Sequence, residues 1–200
     1  MKVIGLTGPS GAGKGIVAAY LLDSGYPHIN CDKIYHSLLE SHSECTLSLV
    51  ARFGEGILDK NGAIDRKKLA DLVFTGHGHK KRLDDLNSIT HGFVLKECRN
   101  LIQKYRNEGK KAVVVDAPTL IESGFDAECD LVLVVNAPYE TRLKRIIERD
   151  RITPKKAAER LSAQKDDLFY TERADFLIEN SSTLDNIRSQ IEKFIREKLN

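Results

Sequence analysis

The stretch that decides the fold reads Val3-Ile4-Gly5-Leu6-Thr7-Gly8-Pro9-Ser10-Gly11-Ala12-Gly13-Lys14-Gly15. Its apolar start, residues 3–7, predicts a buried strand. Residues 14–23 follow with Ile16, Val17, Tyr20 and Leu21 at helical spacing, and Ser24-Gly25 supplies the stop. Between strand and helix, Gly8 to Lys14 fits the pattern G-x-x-x-x-G-K. Glycines let such a loop curl until its backbone N–H groups converge on phosphate oxygens. The helix that begins near Lys14 adds the positive end of its dipole, and the lysine reaches the terminal phosphates as a point charge. The position after the lysine usually carries a Ser or Thr hydroxyl for Mg²⁺, but here it is Gly15, followed by Ile16. The dinucleotide pattern G-x-G-x-x-G fails, because its third glycine would fall on Ile16.

Further along, residues 26–30 read as a short second strand leading to Cys31-Asp32. Residues 34–53 read as helical with a break near 41–43. Asn61-Gly62 marks a tight turn, and Asp65 is placed to cap a helix through Leu69, Leu72 and Val73. Gly76-His77-Gly78-His79 breaks the chain and is expected to be a loop rather than a metal site. A long helix to Asn107, closed by Gly109, should follow. Residues 111–116 and 130–135 are continuous β-branched runs, expected of central parallel strands covered on both faces. Pro138 opens a helix to Arg151 and Pro154 another through Gln164. A last strand at 176–179 and an amphipathic helix at 184–199 complete the pattern. Strands alternating with helices imply an α/β fold with a mostly parallel sheet. The helical stretch 34–107 interrupts that alternation and predicts a separate substrate-side subdomain.

The composition is that of an ordinary globular protein: 200 residues, 41% hydrophobic and 30% charged. A net charge of +2 argues for neither a nucleic-acid nor a membrane partner, so phosphate-binding charge must be local. The amino-terminal apolar stretch stops at Leu6, too short for a signal peptide or a membrane span. Cys31, Cys45, Cys98 and Cys129 show no CxxC spacing, which predicts reduced thiols and a cytoplasmic protein without a zinc site.

Several residues are candidates for chemistry. Asp32 follows the second strand, where a carboxylate serves either as a base beside an acceptor hydroxyl or as the N-cap of the next helix. Asp116 ends a hydrophobic strand, the Walker B arrangement. It could hold a magnesium-bound water, contact Lys14 or the acceptor, or cap the strand end. Glu122 reads equally as a substrate-side contact or a structural salt bridge. Arg142, Lys144, Arg145, Arg149, Arg151, Lys155, Lys156 and Arg160 crowd residues 141–161, offset there by Glu148, Asp150 and Glu159. Arg145 and Arg149 are four apart and share a helix face. Such a run is either a phosphate-facing lid or a solvated basic face.

Five segments together resemble the dephospho-coenzyme A kinases. They are Asn30-Cys31-Asp32-Lys33-Ile34; the stretch from Gly56 through Gly62, Asp65, Arg66 and Leu69 to Val73-Phe74; Asp116-Ala117-Pro118-Thr119-Leu120-Ile121-Glu122-Ser123-Gly124; Arg145 to Arg149-Asp150 with Arg160 and Gln164; and Ala174-Asp175-Phe176 with Asn180. Asn30, in place of an aspartate, Gly15, Thr119 and Thr90-His91-Gly92, where a histidine-proline pair is expected, depart from that family's pattern. The resemblance implies a P-loop kinase like the nucleoside-monophosphate kinases: a five-stranded parallel sheet, one domain over 1–200, a helical substrate-side insertion at about 34–107 and a lid at about 139–173. It implies ATP with Mg²⁺, dephospho-coenzyme A as acceptor at its ribose 3′-hydroxyl, and a monomer without nucleic-acid or membrane partners. Residue by residue, it implies catalysis by Asp32, Lys14 and Arg145. The nucleotide falls to Gly8, Gly11, Ala12, Gly13, Lys14, Gly15, Ile16, Arg145 and Arg149. The acceptor falls to Asp32, Arg66, Asp116 and Glu122. No metal ligand is certain, with Asp116 a candidate through water. A related kinase acting on a nucleoside monophosphate or sugar acid, and a nucleotide-binding regulator without catalysis, are the competing readings.

Overall fold

The computed structural model of the chain describes every residue except Ser41 and Asn200. Its sheet has five strands: β1 (Lys2–Thr7), β2 (His28–Asn30), β3 (Ala112–Asp116), β4 (Leu131–Asn136) and β5 (Phe176–Glu179), in the order β2-β3-β1-β4-β5. β1 lies parallel to β3, with Leu6 opposite Asp116, and parallel to β4, with Leu6 opposite Leu133. β5 lies parallel to β4, with Asn136 opposite Glu179. All of β3, and all but the first residue of β1 and β4, is buried, as the unbroken apolar runs require of strands covered on both faces. The strand order reverses around β1. The carboxyl ends of β1, β3 and β4 therefore bring Thr7, Asp116 and Asn136 to the edge where open α/β sheets bind ligands.

The helices are α1 (Lys14–Asp23), α2 (Cys31–Glu40), α3 (Glu44–Phe53), α4 (Arg66–Phe74), α5 (His79–Asn107), α6 (Tyr139–Asp150), α7 (Pro154–Ser162), α8 (Asp167–Thr171) and α9 (Leu184–Phe194). The chain forms two compact units, Asn30–Leu101 and the remainder, Met1–Ile29 with Ile102–Asn200. In the larger unit, Val17 and Leu21 of α1 and Ile187, Ile191 and Phe194 of α9 pack on Ile4, Leu6, Leu133 and Val135 of the sheet. A smaller cluster of Ile146, Ala157 and Leu161 joins α6 to α7. The 30–101 unit has its own core of Leu39, Cys45, Leu49, Ile57, Ile64, Leu69, Val73 and Leu86. Two sequence signals act there as expected. Asp65 accepts from the N–H groups of Lys67 and Lys68 at the start of α4. Gly62, at φ 80°, turns a bridge between Leu58 and Ile64.

Some boundaries differ from the sequence reading. The second helical stretch begins at Cys31, not residue 34, directly off β2. The expected break at 41–43 falls between α2 and α3, with Ser43 capping α3 by accepting from Thr46 N–H, while Ser41 lies outside the described residues. The long helix α5 does end at Asn107 as expected, running through Thr90-His91-Gly92, where glycine keeps the N–H that proline lacks. α7 ends at Ser162, and the short helix α8 was not anticipated. The last helix passes into a π-helical turn over Ile195–Leu199.

Gly5, in the middle of β1, leaves no room for a side chain. A Cβ there would lie 2.5 Å from Leu120 Cδ2 and 2.9 Å from Cys129 Sγ. Gly5→Ala should therefore lower unfolding free energy by about 1–3 kcal/mol in urea denaturation. In a Leu120→Ala background the same change should cost less, because the clashes with the Leu120 methyls are gone and only the Cys129 contact remains.

Candidate active site

The loop between β1 and α1 holds a shape that most residues cannot adopt. Gly8 sits at φ 147°, where a Cβ would lie 2.1 Å from Val135 O. Gly13 caps α1 at φ 93°, and its Cβ would lie 2.0 Å from Asn180 Nδ2. Side chains from the far end of the chain brace the loop. Arg145 Nη1 donates to Gly11 O and Ala12 O, each at 3.2 Å, and Nη2 donates to Asn180 Oδ1 at 3.0 Å. Asn180 Nδ2 donates to Ala12 O at 2.7 Å, and Gln164 Oε1 accepts from Ser10 N–H at 3.1 Å. A planar trans peptide points its N–H away from its C=O. Pulling the Ala12 carbonyl toward Arg145 and Asn180 therefore turns the Gly13 N–H to the opposite side. Among the described residues, the N–H groups of Gly13, Lys14 and Gly15 meet no acceptor. They are the orphan donors of a helix start, and with the dipole of α1 they form an anion site.

Lys14 does not project freely from this loop. Its Nζ contacts Asp116 Oδ1 at the end of β3, one of the contacts the sequence left open for that aspartate. The other oxygen, Asp116 Oδ2, accepts from His28 Nε2 at 3.2 Å. The carboxylate side chain is only 7% exposed. Burial pushes its carboxyl pKa up, but the His28 hydrogen bond and the Lys14 charge outweigh that and hold it below the usual carboxylate value. His28 was missed in the sequence, where nothing marks it beyond its place on β2. It takes part because β3 lies next to β2 in the sheet.

The basic segment divides into distinct jobs. Arg145, expected among the catalytic and nucleotide-binding residues, here has its guanidinium on the carbonyl side of the loop. Arg142 is a core residue, 6% exposed, and pairs with Asp167 at 2.7 Å, so it is not a lid cation. Arg149 is exposed and donates to Asp150 at 2.8 and 3.0 Å, and Arg160 contacts the same carboxylate. The Arg149 hydrogen bond leads the causes that hold Asp150 below its usual pKa. Glu122 accepts from Tyr170 OH at 3.3 Å. Burial first, and then the Glu122 carboxylate, push the Tyr170 hydroxyl up to about 12, so it stays a donor. The alternative of a structural salt bridge for Glu122 is corrected: among the described residues its partner is this neutral hydroxyl.

In the 30–101 unit, the N-cap reading of Asp32 is also corrected. Because α2 starts at Cys31, the capping oxygen belongs to Asn30, whose Oδ1 accepts from Lys33 N–H at 2.8 Å. Asp32 lies in the first turn, exposed, and makes no hydrogen bond or ion pair among the described residues. A cleft of about 480 Å³ in the same unit is lined by Tyr35, Leu39, Arg66, Lys67, Phe74 and Leu86 among others. Two cations beside apolar and aromatic walls suit an anionic molecule with an apolar part.

Comparison with known proteins agrees along nearly the whole chain. A family profile described as Dephospho-CoA kinase matches residues 2–186. A dephospho-CoA kinase of Fusobacterium nucleatum is 39% identical over 194 residues, 97% of either chain. Another, from Symbiobacterium thermophilum, is 38% identical over 96% of this chain and 79% of its own. The solved structure of the dephospho-CoA kinase from Campylobacter jejuni superposes with a TM-score of 0.73 at 29% identity, covering 98% of this chain and 96% of the other. The five-stranded parallel sheet is that of a P-loop kinase. Matched in sequence and in backbone from end to end, the chain belongs to the dephospho-CoA kinase family.

Proposed function

We propose that this protein transfers the γ-phosphoryl group of ATP to the ribose 3′-hydroxyl of dephospho-coenzyme A, giving coenzyme A and ADP in the last step of coenzyme A synthesis. The observation that carries the reading is the braced loop, whose unclaimed amides at Gly13, Lys14 and Gly15 stand ready for phosphate oxygens in a chain of this family. The 3′-oxygen attacks the γ-phosphorus, the bond from that phosphorus to the β–γ bridging oxygen breaks, and ADP leaves. Such a transfer needs positioning and charge more than covalent help.

Each residue then has a task. Gly8, Gly11, Ala12, Gly13, Gly15 and Ile16 form the cradle, and Lys14 moves from Asp116 to the β- and γ-phosphates. Arg145 serves the nucleotide by holding the cradle in shape. Arg149, on an exposed face of α6, is the cation we assign to the phosphates in a lid over about 139–173. Asp32, free of the capping job, accepts the proton of the 3′-hydroxyl. Arg66 and its cleft take the anionic part of dephospho-coenzyme A, with Glu122 as a further acceptor-side group. On this reading the 30–101 unit is the substrate-side insertion expected over about 34–107.

The donor set fits magnesium only through water. A Cβ at Gly15 would meet nothing within 4 Å, so the usual hydroxyl ligand is replaced by open space, and Asp116 is the one nearby carboxylate we assign. Bound with the triphosphate, the ion would neutralise charge on the β- and γ-phosphates, and Asp116 would hold one of its waters. No helix among the described residues is long and apolar enough to cross a membrane. We propose a cytoplasmic monomer acting on small molecules and not on nucleic acid.

A coupled assay should show turnover of dephospho-coenzyme A well above that of nucleoside monophosphates or gluconate; no turnover of dephospho-coenzyme A would end this reading. Lys14→Ala should lower the rate by about a hundredfold or more, equivalent to roughly 3 kcal/mol of lost transition-state stabilisation. Asp32→Asn should lower kcat by about 10²–10⁴-fold while ATP affinity measured by calorimetry stays unchanged. A variant with full activity would move the base elsewhere.

A further inference from the structure

The contact between His28 and Asp116 has no part in the chemistry assigned above. Its geometry is nevertheless well defined. Val114 N–H donates to Pro27 O at 2.8 Å, which sets the start of β2 beside β3 and brings the imidazole within reach of the carboxylate. His28 Nε2 lies 3.2 Å from Asp116 Oδ2, and the two side chains are 18% and 7% exposed. A carboxylate offers no proton, so Nε2–H is the donor. Asp116 thus divides its oxygens between two donors, Lys14 on Oδ1 and His28 on Oδ2.

These two donors differ in what they must do when a triphosphate arrives. Lys14 sits on the loop and is drawn to the phosphates, while His28 is fixed in the sheet. When ATP binds without magnesium, no metal-bound water reaches Asp116, and if Lys14 left this nearly buried carboxylate with no donor from the protein, the stranded charge would oppose its departure, since an unpaired buried charge is costly. His28 is the donor that stays.

We propose that His28 is a positioning residue for Lys14: by keeping a hydrogen bond on Asp116, it lets the lysine pass from that carboxylate to the phosphates of the nucleotide. The inference rests on the reading that ATP occupies the loop. It predicts that His28 sets nucleotide affinity without touching nucleotide.

The test is ATP binding by calorimetry without magnesium, to the full chain and its variants, with the unfolding temperature of each measured without ligand. His28→Val, which suits a strand and removes the donor, should weaken ATP binding about tenfold, as expected for losing one hydrogen bond to a charged group. His28→Phe, which keeps a ring but no donor, should lose as much. His28→Gln, which restores an N–H, should recover most of the affinity. In an Asp116→Asn chain the carboxylate charge is gone, and adding His28→Val should change ATP binding less than about twofold. Parental affinity in both donorless variants, or an equal loss of affinity in the Asp116→Asn background, would overturn the inference and leave the functional reading standing. Failure of the parent chain to bind ATP would overturn the functional reading, and this inference with it.

Discussion

A peptide group cannot point its carbonyl and its N–H the same way, and the phosphate loop depends on that constraint. Arg145 and Asn180 claim the carbonyls of Gly11 and Ala12 from one side. The Gly13 amide is thereby turned to the other, next in the chain to the unclaimed N–H groups of Lys14 and Gly15 at the start of α1. Neither brace belongs to the loop or to the strand and helix it joins. Arg145 comes from α6, and Asn180 immediately follows β5. The anion site is thus built by the whole sheet, because β4 and β5 must pair in register before Asn180 reaches the loop. Close packing enforces the same shape, since the Asn180 amide occupies the space a side chain at position 13 would need.

Charge is shared economically around this loop. Lys14 rests against Asp116 instead of standing free, and the aspartate is held ionised against its own burial by that lysine and by His28. Arg142, buried, is paired with Asp167. Two neighbouring arginines, 149 and 160, meet on Asp150 at the surface, where ion pairs contribute little to stability and are easily remade. A segment that reads as one basic run therefore holds a buried arginine paired with a half-exposed aspartate, a loop brace and an exposed surface cluster. Only the last is free to move without disturbing the fold.

The replacement of an aspartate by Asn30 has a consistent physical explanation. Asparagine is as good an N-cap as aspartate, and Asn30 accepts from Lys33 N–H at the start of α2. The departure from the family pattern falls on a capping position, while the carboxylate that follows two residues later is retained as Asp32 and carries no structural duty among the described residues. Gly15 is a simpler case. It leaves open space where a metal-ligating hydroxyl usually stands, and the helix still starts at Lys14.

What the sequence determined by itself is everything set by near neighbours along the chain: the apolar runs of β1, β3 and β4, the glycine loop ahead of Lys14, the Asp65 cap and the turn at Gly62. Each follows from steric or hydrogen-bond rules acting over a few residues, so the pattern is visible in the order of residue types. The exact start of α2 and the existence of α8 escaped, because helix ends are decided by competing caps of similar strength. Tertiary structure alone decided the partners. Lys14 and Asp116 stand 102 positions apart, His28 and Asp116 88, and Arg145 and Gly11 134. No local rule links such residues. They meet only because parallel strands must be joined by long crossovers, which bring distant segments to one edge of the sheet.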